Sequence, residues 1–494
     1  MKKIIAIACV FVLAFVEAKA EGYQVNLQST KQAGMGHVGV SMKLGAESMH
    51  FNPAGLAFMD KTIDLSAGVS GVFSSASFKD DTGYKFDSDN APSTPLYVYA
   101  GFKIFDNLAA GISLTTPYGS GIHWGDDWKG AHLIQDISLK AFNFQPTISW
   151  KITDRLSIGA GLMMDFGNIS MDRALIGPGE MTYMANYMVQ NVAQNYPSLL
   201  PILQPMLEPI MKEMALYNDA SAASVSLSGK AGVRFGFNVG AMFDINDKLT
   251  VGVSYRSLIR ARVKQGDISL RYANEAHLMG LLENVNTLLA QAGSMLPDGS
   301  GLPKKIELPA LNTGTFSSEL PLPSNLNFGV TYYPTKRWTV SGEVQFVGWG
   351  KYDALEVSFS PSSLSVYNMH ADKKYKNSFI YRAGAEFAAT NRLDIRFGAY
   401  FDQTPVEDEY LNPETPSMNK LGITAGLSFR PLKNLSVDLA FAYVTGFGRD
   451  GSYTDEYMLM KTIPNIDDSY KTRVFSGHYS VYALMPSIGI SYGF

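Results

Sequence analysis

Three arginines near the middle of the chain could hold an anionic ligand. Arg256, Arg260 and Arg262 occupy even positions of one alternating stretch, so we expect their side chains to share one face of a strand. A guanidinium group presents paired N–H donors that match a carboxylate or a phosphate. The three side chains are therefore our candidates for binding the head group of a ligand. Arg260 and Arg262 could instead contact lipopolysaccharide at the rim of a membrane protein.

Catalytic and metal-binding patterns are weak in this sequence. The seven histidines, at positions 37, 50, 123, 132, 277, 370 and 478, show no metal-ligand spacing such as His-x-x-x-His. The single cysteine, Cys9, lies in a segment that we expect to be removed. A Ser–His pair assembled across strands would leave no sequence signal. We therefore predict no enzymatic activity, no metal site and no cofactor.

Two segments are rich in large apolar side chains and could bind a hydrophobic compound. The segment from Met181 to Leu216 carries six methionines, and its prolines predict short, interrupted helical stretches. The segment from Glu275 to Leu296 has the apolar spacing of one amphipathic helix. Two interpretations are open: the segments cover each other, or they form a groove for an acyl chain. The groove candidates are Met184, Met188, Leu281, Leu282 and Leu288.

The elements that would position these residues are β-strands joined by a recurring turn. The stretch NDKLTVGVSY at Asn246–Tyr255 joins a polar turn to a run of alternating apolar and small residues. Six such stretches, this one included, occur in the sequence. Six tight turns join twelve strands, and the runs at Ile63–Phe73 and Ser480–Phe494 make fourteen. Strands of about ten residues suit a tilted bilayer crossing, whereas the alternative, a soluble β-sandwich, has shorter strands. We predict an all-β fold, a fourteen-stranded antiparallel transmembrane β-barrel.

One face of these strands is polar and carries charges of both signs. This face suits a water-facing lumen, with lipid on the other side of the wall. Charges of both signs in a confined lumen are expected to pair with one another or with a segment inside the barrel. The alternative is that one or two of the cations bind the carboxylate of a ligand. The predicted lumen charges are Asp165, Arg234, Arg256, Glu343, Arg382, Glu386, Arg396 and Asp402.

The two ends of the chain indicate export to a bacterial outer membrane. Lys2 and Lys3 precede a short apolar run, and Ala18-Lys19-Ala20 is a cleavage signal, so residues 1–20 are predicted to be a secretory signal peptide. The last strand ends at Phe494, similar to the terminal aromatic that outer-membrane proteins present to their assembly machinery. A formal net charge of −4 without a basic run excludes nucleic acid as a partner. We expect a monomer in contact with the bilayer and lipopolysaccharide.

About forty residues precede the first strand and are too apolar for a disordered tail. Residues 21–60 are rich in glycine and contain Asn52-Pro53-Ala54 near their end. We predict that they form an N-terminal hatch inside the barrel, which takes up residues 61–494. Long extracellular loops with helices are predicted at about residues 175–222 and 273–312.

These segments resemble the FadL/TodX family of outer-membrane transporters for hydrophobic compounds. Asn52-Pro53-Ala54 resembles the NPA motif of the family's hatch, and the stretch from Phe401 to Pro416 resembles a family segment in a late strand and loop. Trp349 lies in a third, less specific match. The chain departs from the family at residues 417–420, where the family has an acidic–basic pair. The motif residues of the second match are Asp402, Pro405, Asn412 and Pro413.

The resemblance implies a function. Members of the family are fourteen-stranded barrels closed by a hatch, and FadL-like proteins place a low-affinity ligand groove between two outer loops. On this basis we expect uptake of hydrophobic small molecules, foremost long-chain fatty acids, by capture in the loop groove, transfer to a lumen site and rearrangement of the hatch. The alternatives are an aromatic hydrocarbon transporter of the same fold, or an outer-membrane protein without this activity: an adhesin, an anchor or a general porin.

Overall fold

The structure is a computed structural model, and it describes residues 22–295, 304–308, 310–456 and 471–494. The predicted signal peptide at residues 1–20 and part of the predicted loop at residues 273–312 lie outside these ranges. Within them, the chain consists of a barrel of long strands, a segment inside the barrel and three long helices beyond one rim.

Fourteen strands in the described ranges form the wall of one barrel. Several of these strands consist of two segments separated by a short break in the hydrogen-bond ladder. A short strand at Lys85–Asp87 pairs with the outer segment of the first barrel strand. The barrel strands are β1 (Ile63–Ser70 and Phe73–Lys79), β2 (Leu96–Phe105), β3 (Leu108–His123), β4 (Asp136–Lys151), β5 (Leu156–Ile176), β6 (Ala223–Asn246), β7 (Leu249–Arg256 and Ile259–Tyr272), β8 (Thr315–Leu322 and Asn325–Thr335), β9 (Trp338–Val347 and Ala354–Ser360), β10 (Met369–Asp372 and Ser378–Ala388), β11 (Leu393–Asp402), β12 (Lys420–Leu432), β13 (Leu435–Gly446 and Arg449–Glu456) and β14 (Thr472–Gly493).

The barrel closes because its first and last strands pair. β1 and β14 run antiparallel, from the pair Asp64 and Gly493 to the pair Ser70 and Ser487. The other neighbouring strands are antiparallel as well. A closed ladder leaves no open edge of N–H and C=O groups in the hydrocarbon, where unpaired groups are costly. The predicted all-β class and fourteen-stranded antiparallel barrel are confirmed.

Alternation along each strand separates a polar inner face from an apolar outer face. On β4, Asn143, Gln145 and Ser149 are buried in the interior of the barrel. Phe144 and Ile148, which alternate with them in sequence, are exposed on the outer surface, where lipid would cover them. The alternation seen in the sequence is therefore the alternation of the barrel wall.

Short turns lie at one rim and long connections at the other. Residues 106–107 join β2 to β3, residues 247–248 join β6 to β7, and residues 433–434 join β12 to β13. The six predicted turns all join neighbouring strands at this rim. At the opposite rim, the connections include residues 177–222 and 273–314. In outer-membrane barrels the short turns are periplasmic and the long loops extracellular.

The segment before β1 lies inside the barrel. It contains the single-turn helices α1 (Thr30–Ala33) and α2 (Ser48–Phe51) and the 3-10 helices Gly45–Glu47 and Pro53–Phe58. Most of its side chains are buried, and it contacts strands from both halves of the wall. Close approach requires glycine, because a Cβ at Gly34 would lie 2.7 Å from the Cα of Gly426 in β12. Residues 22–60 are termed the hatch.

Three long helices lie in the two long loops: α3 (Glu180–Asn195), α4 (Leu200–Met214) and α5 (Glu275–Met295). The expectation that each proline interrupts a helix is wrong for α4, which contains Pro205 and Pro209. Both prolines lie on the exposed face of α4, so its apolar face can still pack. No helix in the described ranges is long and apolar enough to span a membrane. The remaining 3-10 helices are Ala215–Tyr217, Leu311–Thr313, Trp349–Lys351, Ser362–Tyr367 and Asp408–Tyr410.

The topology predicts which positions an impermeant thiol reagent can reach. Asn391→Cys places a thiol in an exposed turn at the short-turn rim, and Asn284→Cys places one on the exposed side of α5. On intact cells we expect labelling of Asn284→Cys alone, because the turn faces the periplasm. Both variants should react once the outer membrane is permeabilised. Labelling of intact cells in the reverse pattern would contradict the orientation.

Candidate functional site

The hatch motif holds the hatch to the barrel wall. Asn52 is fully buried, and its Oδ1 accepts a hydrogen bond from the backbone N–H of Ala54 at 3.1 Å. Its Nδ2 donates to the carbonyl of Val40 in the hatch (2.7 Å) and to the carbonyl of Ala241 in β6 (3.0 Å). Pro53 begins the 3-10 helix that follows. The motif therefore joins two parts of the hatch to one strand of the wall.

A carboxylate in the lumen binds the hatch backbone. Glu343 Oε2, on β9, accepts from the N–H groups of Gly39 (2.9 Å) and Val40 (3.0 Å). Its Oε1 lies 2.8 Å from Nη1 of Arg382 on β10, and both side chains are buried. A buried ion pair needs further hydrogen bonds to offset its desolvation, and here the hatch supplies them. Two predicted lumen charges thus pair with each other and with the hatch.

Arg256 is a buried lumen cation whose immediate partners are neutral. It projects from the inner face of β7 and is 6% exposed. Nη1 lies 2.6 Å from His50 Nδ1, and Nη2 donates to Gln145 Oε1 at 3.3 Å. Within the described part of the chain Arg256 forms no salt bridge, whereas Arg396 pairs with Glu386 at 2.6 Å. A histidine that accepts from a guanidinium is itself uncharged. The arrangement suits a ligand that brings a negative charge.

Arg256 borders a small polar cavity in the lumen, with a volume of about 30 Å³. The hatch contributes Gln24, Val25 and His50 to its lining, and Tyr118 comes from β3. A cavity of this size holds a water molecule but no larger ligand. The cavity is therefore too small to hold a fatty acid beside Arg256 in this arrangement of the hatch.

Arg260 and Arg262 do not share the face of Arg256. β7 is interrupted at residues 257–258, and the alternation changes phase there: inner positions are even before the break and odd from 259 to 263. Both side chains are exposed on the outer surface, and Arg260 pairs with Glu319 at 3.0 Å. The prediction that the three arginines lie on one face is wrong, because an irregularity in a strand shifts its period-two pattern. Arg260 and Arg262 remain candidates for contact with lipopolysaccharide.

The loop helices pack against one another through their apolar faces. Met184 and Met188 on α3 and Leu281 and Leu288 on α5 are buried. They belong to apolar clusters that join the two long loops. These four groove candidates are therefore covered by the packing of the two loops against each other and do not line an open groove. Leu282, beside Leu281, is only partly buried.

A groove beside α5 is large enough for a small-molecule ligand. Its volume is about 690 Å³, within the range of ordinary ligand sites. Asn286 attaches one side of the groove, residues 304–308, to the helix: its Nδ2 donates to the carbonyl of Ile306 (2.9 Å), and its Oδ1 accepts from the N–H of Ile306 (2.7 Å). The apolar side chains that line the groove are Leu270, Tyr272, Met279, Leu282, Ile306 and Leu308.

The first part of the late-strand motif forms a buried corner after β11. Asp402 and Pro405 are buried, and the carbonyl of Pro405 accepts from the N–H of Lys376 at 2.8 Å. Thr404 Oγ1 lies 2.5 Å from Ser417 Oγ. Ser417 begins the stretch that departs from the family pattern, so this stretch still closes the corner.

The second part of the motif covers the outer end of the lumen. Asn412 Oδ1 accepts from the N–H of Glu414 at 2.8 Å, and the carbonyl of Pro413 accepts from the indole N–H of Trp124 at 3.0 Å. Glu414 Oε2 pairs with Lys373 Nζ at 2.7 Å, and both of these side chains are buried. The contacts described for Pro405, Asn412 and Pro413 are all with other residues of the protein.

A buried charge network at the extracellular side has no sequence signal. Glu180, the first residue of α3, pairs with Arg473 at 3.3 Å and accepts from the N–H of Gly177 at 2.5 Å. Asp455 lies 3.1 Å from Arg173 and 3.7 Å from Arg473. Burial raises the pKa of Glu180, and the charge of Arg473 opposes this shift. The network attaches the first residue of α3 to the outer ends of β5, β13 and β14.

The described residues contain no arrangement that points to catalysis. His370 pairs with Glu356, and His478 lies 2.9 Å from Asp450, but these pairs are exposed side chains on the outer ends of strands. Among the residues that the structure describes, no group of three or more His, Cys, Asp or Glu side chains is placed to hold a metal ion.

Fold and site together define a membrane barrel whose lumen is plugged from within. The family model described as outer membrane protein transport protein (OMPP1/FadL/TodX) matches residues 11–494. The chain belongs to this family. It is therefore a protein of the bacterial outer membrane, from a family that transports hydrophobic compounds.

Relatives match most of this chain and most of their own length. A putative outer membrane protein of Neisseria meningitidis serogroup B is 23% identical over 464 residues, covering 90% of this chain and 89% of the relative. The long-chain fatty acid transport protein of Escherichia coli K12 is 20% identical over 452 residues, covering 89% and 91%.

Solved structures share the fold over nearly the whole chain. A Pseudomonas aeruginosa FadL homologue has a TM-score of 0.70 at 18% identity and covers 96% of this chain and 100% of its own. The toluene transporter TodX of Pseudomonas putida has a TM-score of 0.62 at 15% identity and covers 97% and 99%. At these identities the likeness shows the architecture and leaves the transported compound open.

Loss of the Asn52 contacts should loosen the hatch. Asn52→Ala leaves the carbonyls of Val40 and Ala241 without this donor, at a cost of about 1–3 kcal/mol for each buried group left unpaired. We expect more frequent ion-conducting openings in planar bilayers than in the parent protein. Asn391→Ala, in an exposed turn, is the matched control and should conduct as the parent does. Equal conductance of the two variants would show that the motif does not hold the hatch.

Proposed function

We propose that the protein takes up long-chain fatty acids across the outer membrane, down their gradient. One observation carries this proposal: an apolar groove on the outer loops accompanies a buried lumen arginine whose immediate partners are neutral. A long-chain fatty acid has the complementary parts, an apolar chain and a carboxylate. Neither part of the site requires an energy source or a cofactor.

The groove beside α5 is the proposed site of first capture. Each methylene buried there is worth about 0.8 kcal/mol, before the cost of immobilising the ligand. Leu282 is the groove candidate predicted from the sequence that lies in its lining. Chain length should therefore dominate affinity at this step, and acids and neutral alkanes should bind similarly.

Arg256 is the proposed head-group site in the lumen. A shielded hydrogen bond between a carboxylate and a guanidinium contributes about 1.5–3 kcal/mol. His50 and Gln145, which now bind Arg256, are uncharged groups that a carboxylate could replace. Since the adjoining cavity is too small for the ligand, the hatch residues that line it must shift as the acid arrives.

The alternative functions account for fewer of these observations. A general porin needs a continuous aqueous path, but here the hatch lies in the lumen and binds the wall. An adhesin or an anchor has no use for an apolar groove on the loops or for a buried lumen cation without a carboxylate partner among the described residues. An aromatic hydrocarbon transporter of the same fold would use the groove but not the charge of Arg256. This last difference separates the two transport hypotheses.

The C-terminal residue supports a proposal about assembly. The N–H of Phe494 donates to the carbonyl of Ile63 at 2.9 Å, and the N–H of Thr62 donates to the carbonyl of Phe494 at 3.0 Å. Phe494 thus lies on the seam between the first and last strands, and its ring is exposed. We propose that this ring is read by the outer-membrane assembly machinery. Because the barrel closes on itself, we also propose a monomer surrounded by lipid and lipopolysaccharide.

Leu282→Ser should weaken the binding of fatty acid and alkane alike. The change removes part of the apolar lining, worth about 1–2 kcal/mol, or roughly five- to thirtyfold in Kd. The measurement is equilibrium binding of hexadecanoic acid and hexadecane to the purified protein. Leu216→Ser is the control, because Leu216 is 71% exposed and lies outside the groove lining. Unchanged affinity of Leu282→Ser for both ligands would remove the groove from the proposal.

Arg256→Gln should weaken the binding of the acid and spare the neutral ligand. Loss of a shielded carboxylate–guanidinium bond of about 1.5–3 kcal/mol corresponds to roughly ten- to hundredfold in Kd. Hexadecanoic acid and hexadecanol are compared on the same protein, with Arg262→Gln as the control on the outer surface. If Arg256→Gln binds the acid as tightly as the parent, Arg256 is not the head-group site.

A further inference from the structure

The outer part of the lumen contains an aromatic pocket that is filled by a residue of the hatch. The ring of Tyr23 lies 4.9 Å from Trp349, 6.2 Å from Tyr352 and 6.5 Å from Tyr118, centroid to centroid, in edge-to-face contacts. Tyr375 lies behind, 5.7 Å from Trp349. All five side chains are buried. Edge-to-face contacts of this kind favour an aromatic ring over an aliphatic group of similar size.

The pocket also has polar groups that can select a ligand. The hydroxyl of Tyr23 donates to the carbonyl of Pro321 in β8. The indole Nε1–H of Trp349 is buried without a hydrogen-bond partner in the described part of the chain. This N–H does not donate to the hydroxyl of Tyr23, so it takes no part in holding that ring. The pocket therefore offers one acceptor, the carbonyl of Pro321, which Tyr23 now uses.

The segment that carries Tyr23 is attached to β3 as a short added strand. The N–H of Gly119 donates to the carbonyl of Tyr23 at 2.9 Å, and the N–H of Val25 donates to the carbonyl of Pro117 at 2.9 Å. Val25 also lines the cavity beside Arg256. Displacement of this one segment would therefore empty the aromatic pocket and open the cavity at the same time.

We propose that this pocket is a binding site for phenols, and that Tyr23 occupies it as a built-in ligand while the hatch is closed. The side chain of Tyr23 is chemically a 4-alkylphenol, so a free phenol can reproduce its ring contacts and its bond to the carbonyl of Pro321. The proposal rests on the proposed function, because the phenol would enter by the same transport route.

A hydrocarbon of the same shape would bind this pocket less well. Ethylbenzene can make the ring contacts of 4-ethylphenol, but it leaves the buried carbonyl of Pro321 without a donor. A site built around a hydrogen bond discriminates against an analogue that lacks the group, because its own polar atom is left unpaired. The pocket thus predicts a preference for hydroxylated aromatic compounds over plain hydrocarbons.

The test compares 4-ethylphenol and ethylbenzene on the parent protein and on Tyr23→Ala, by calorimetric titration in detergent. Tyr23→Ala vacates the pocket, so it should bind 4-ethylphenol about tenfold tighter than the parent, in which Tyr23 competes. On Tyr23→Ala, ethylbenzene should bind about tenfold more weakly than 4-ethylphenol. Tyr443→Ala, which removes an exposed ring on the outer face, is the control and should behave as the parent does.

A second variant keeps the test decisive if Tyr23→Ala does not fold. Tyr23→Phe retains the ring but loses the bond to Pro321, so the segment is held less firmly and 4-ethylphenol affinity should rise about threefold. The proposal is overturned if a folded Tyr23→Ala binds 4-ethylphenol no tighter than the parent or no tighter than ethylbenzene. It is also overturned if Tyr23→Phe shows no gain. Such results with intact fatty acid uptake would leave the proposed transport function standing.

Discussion

The backbone N–H groups of Gly39 and Val40 in the hatch donate to Glu343, and these bonds illustrate what holds the barrel and the hatch together: every buried polar group of the inner face needs a partner. A fourteen-stranded barrel encloses more space than its own inward side chains can fill, and its inner face is polar because its outer face must be apolar. The hatch fills this space and pairs the polar groups that face it. The amides of Gly39 and Val40 satisfy Glu343, and Asn52 satisfies the carbonyl of Ala241. Buried polar groups must be paired, and the hatch supplies the partners.

The need to pair buried charges also explains why Arg256 is better suited than Arg382 to bind an anionic ligand. Arg382 already has the carboxylate of Glu343, so it contributes to closure of the lumen and gains little from another acid. Among the residues that the structure describes, the partners of Arg256 at hydrogen-bond distance are the neutral side chains of His50 and Gln145. A carboxylate is a better partner for a shielded guanidinium than either of these groups. In the proposed function, exchange of partners at Arg256 would give a physical reason for the hatch to shift when an acid binds.

The sequence predicted the strands well because each strand carries its own signal. Turn residues and period-two alternation are local, so errors in one strand do not affect the count. The sequence failed where a feature depends on three-dimensional context. The break at residues 257–258 reverses the side of Arg260 and Arg262, and alternation alone does not register it. The apolar stripe of α5 marked Leu281 as an apolar contact residue, but the sequence did not decide between a ligand groove and mutual covering of the loops. The partnership of His50 with Arg256 joins distant parts of the chain and has no local pattern.

A reversible crosslink between the hatch and the barrel wall would show whether transport requires the hatch to move. Ser41 Oγ lies 2.7 Å from Thr331 Oγ1 in β8, so a disulfide between Ser41→Cys and Thr331→Cys should form with little displacement. Cys9, the one cysteine of the sequence, lies in the predicted signal peptide and should not interfere. In cells that carry the double variant, uptake of labelled long-chain fatty acid should stop on oxidation and resume on reduction. Equal uptake by the crosslinked and the reduced protein would contradict transport by rearrangement of the hatch.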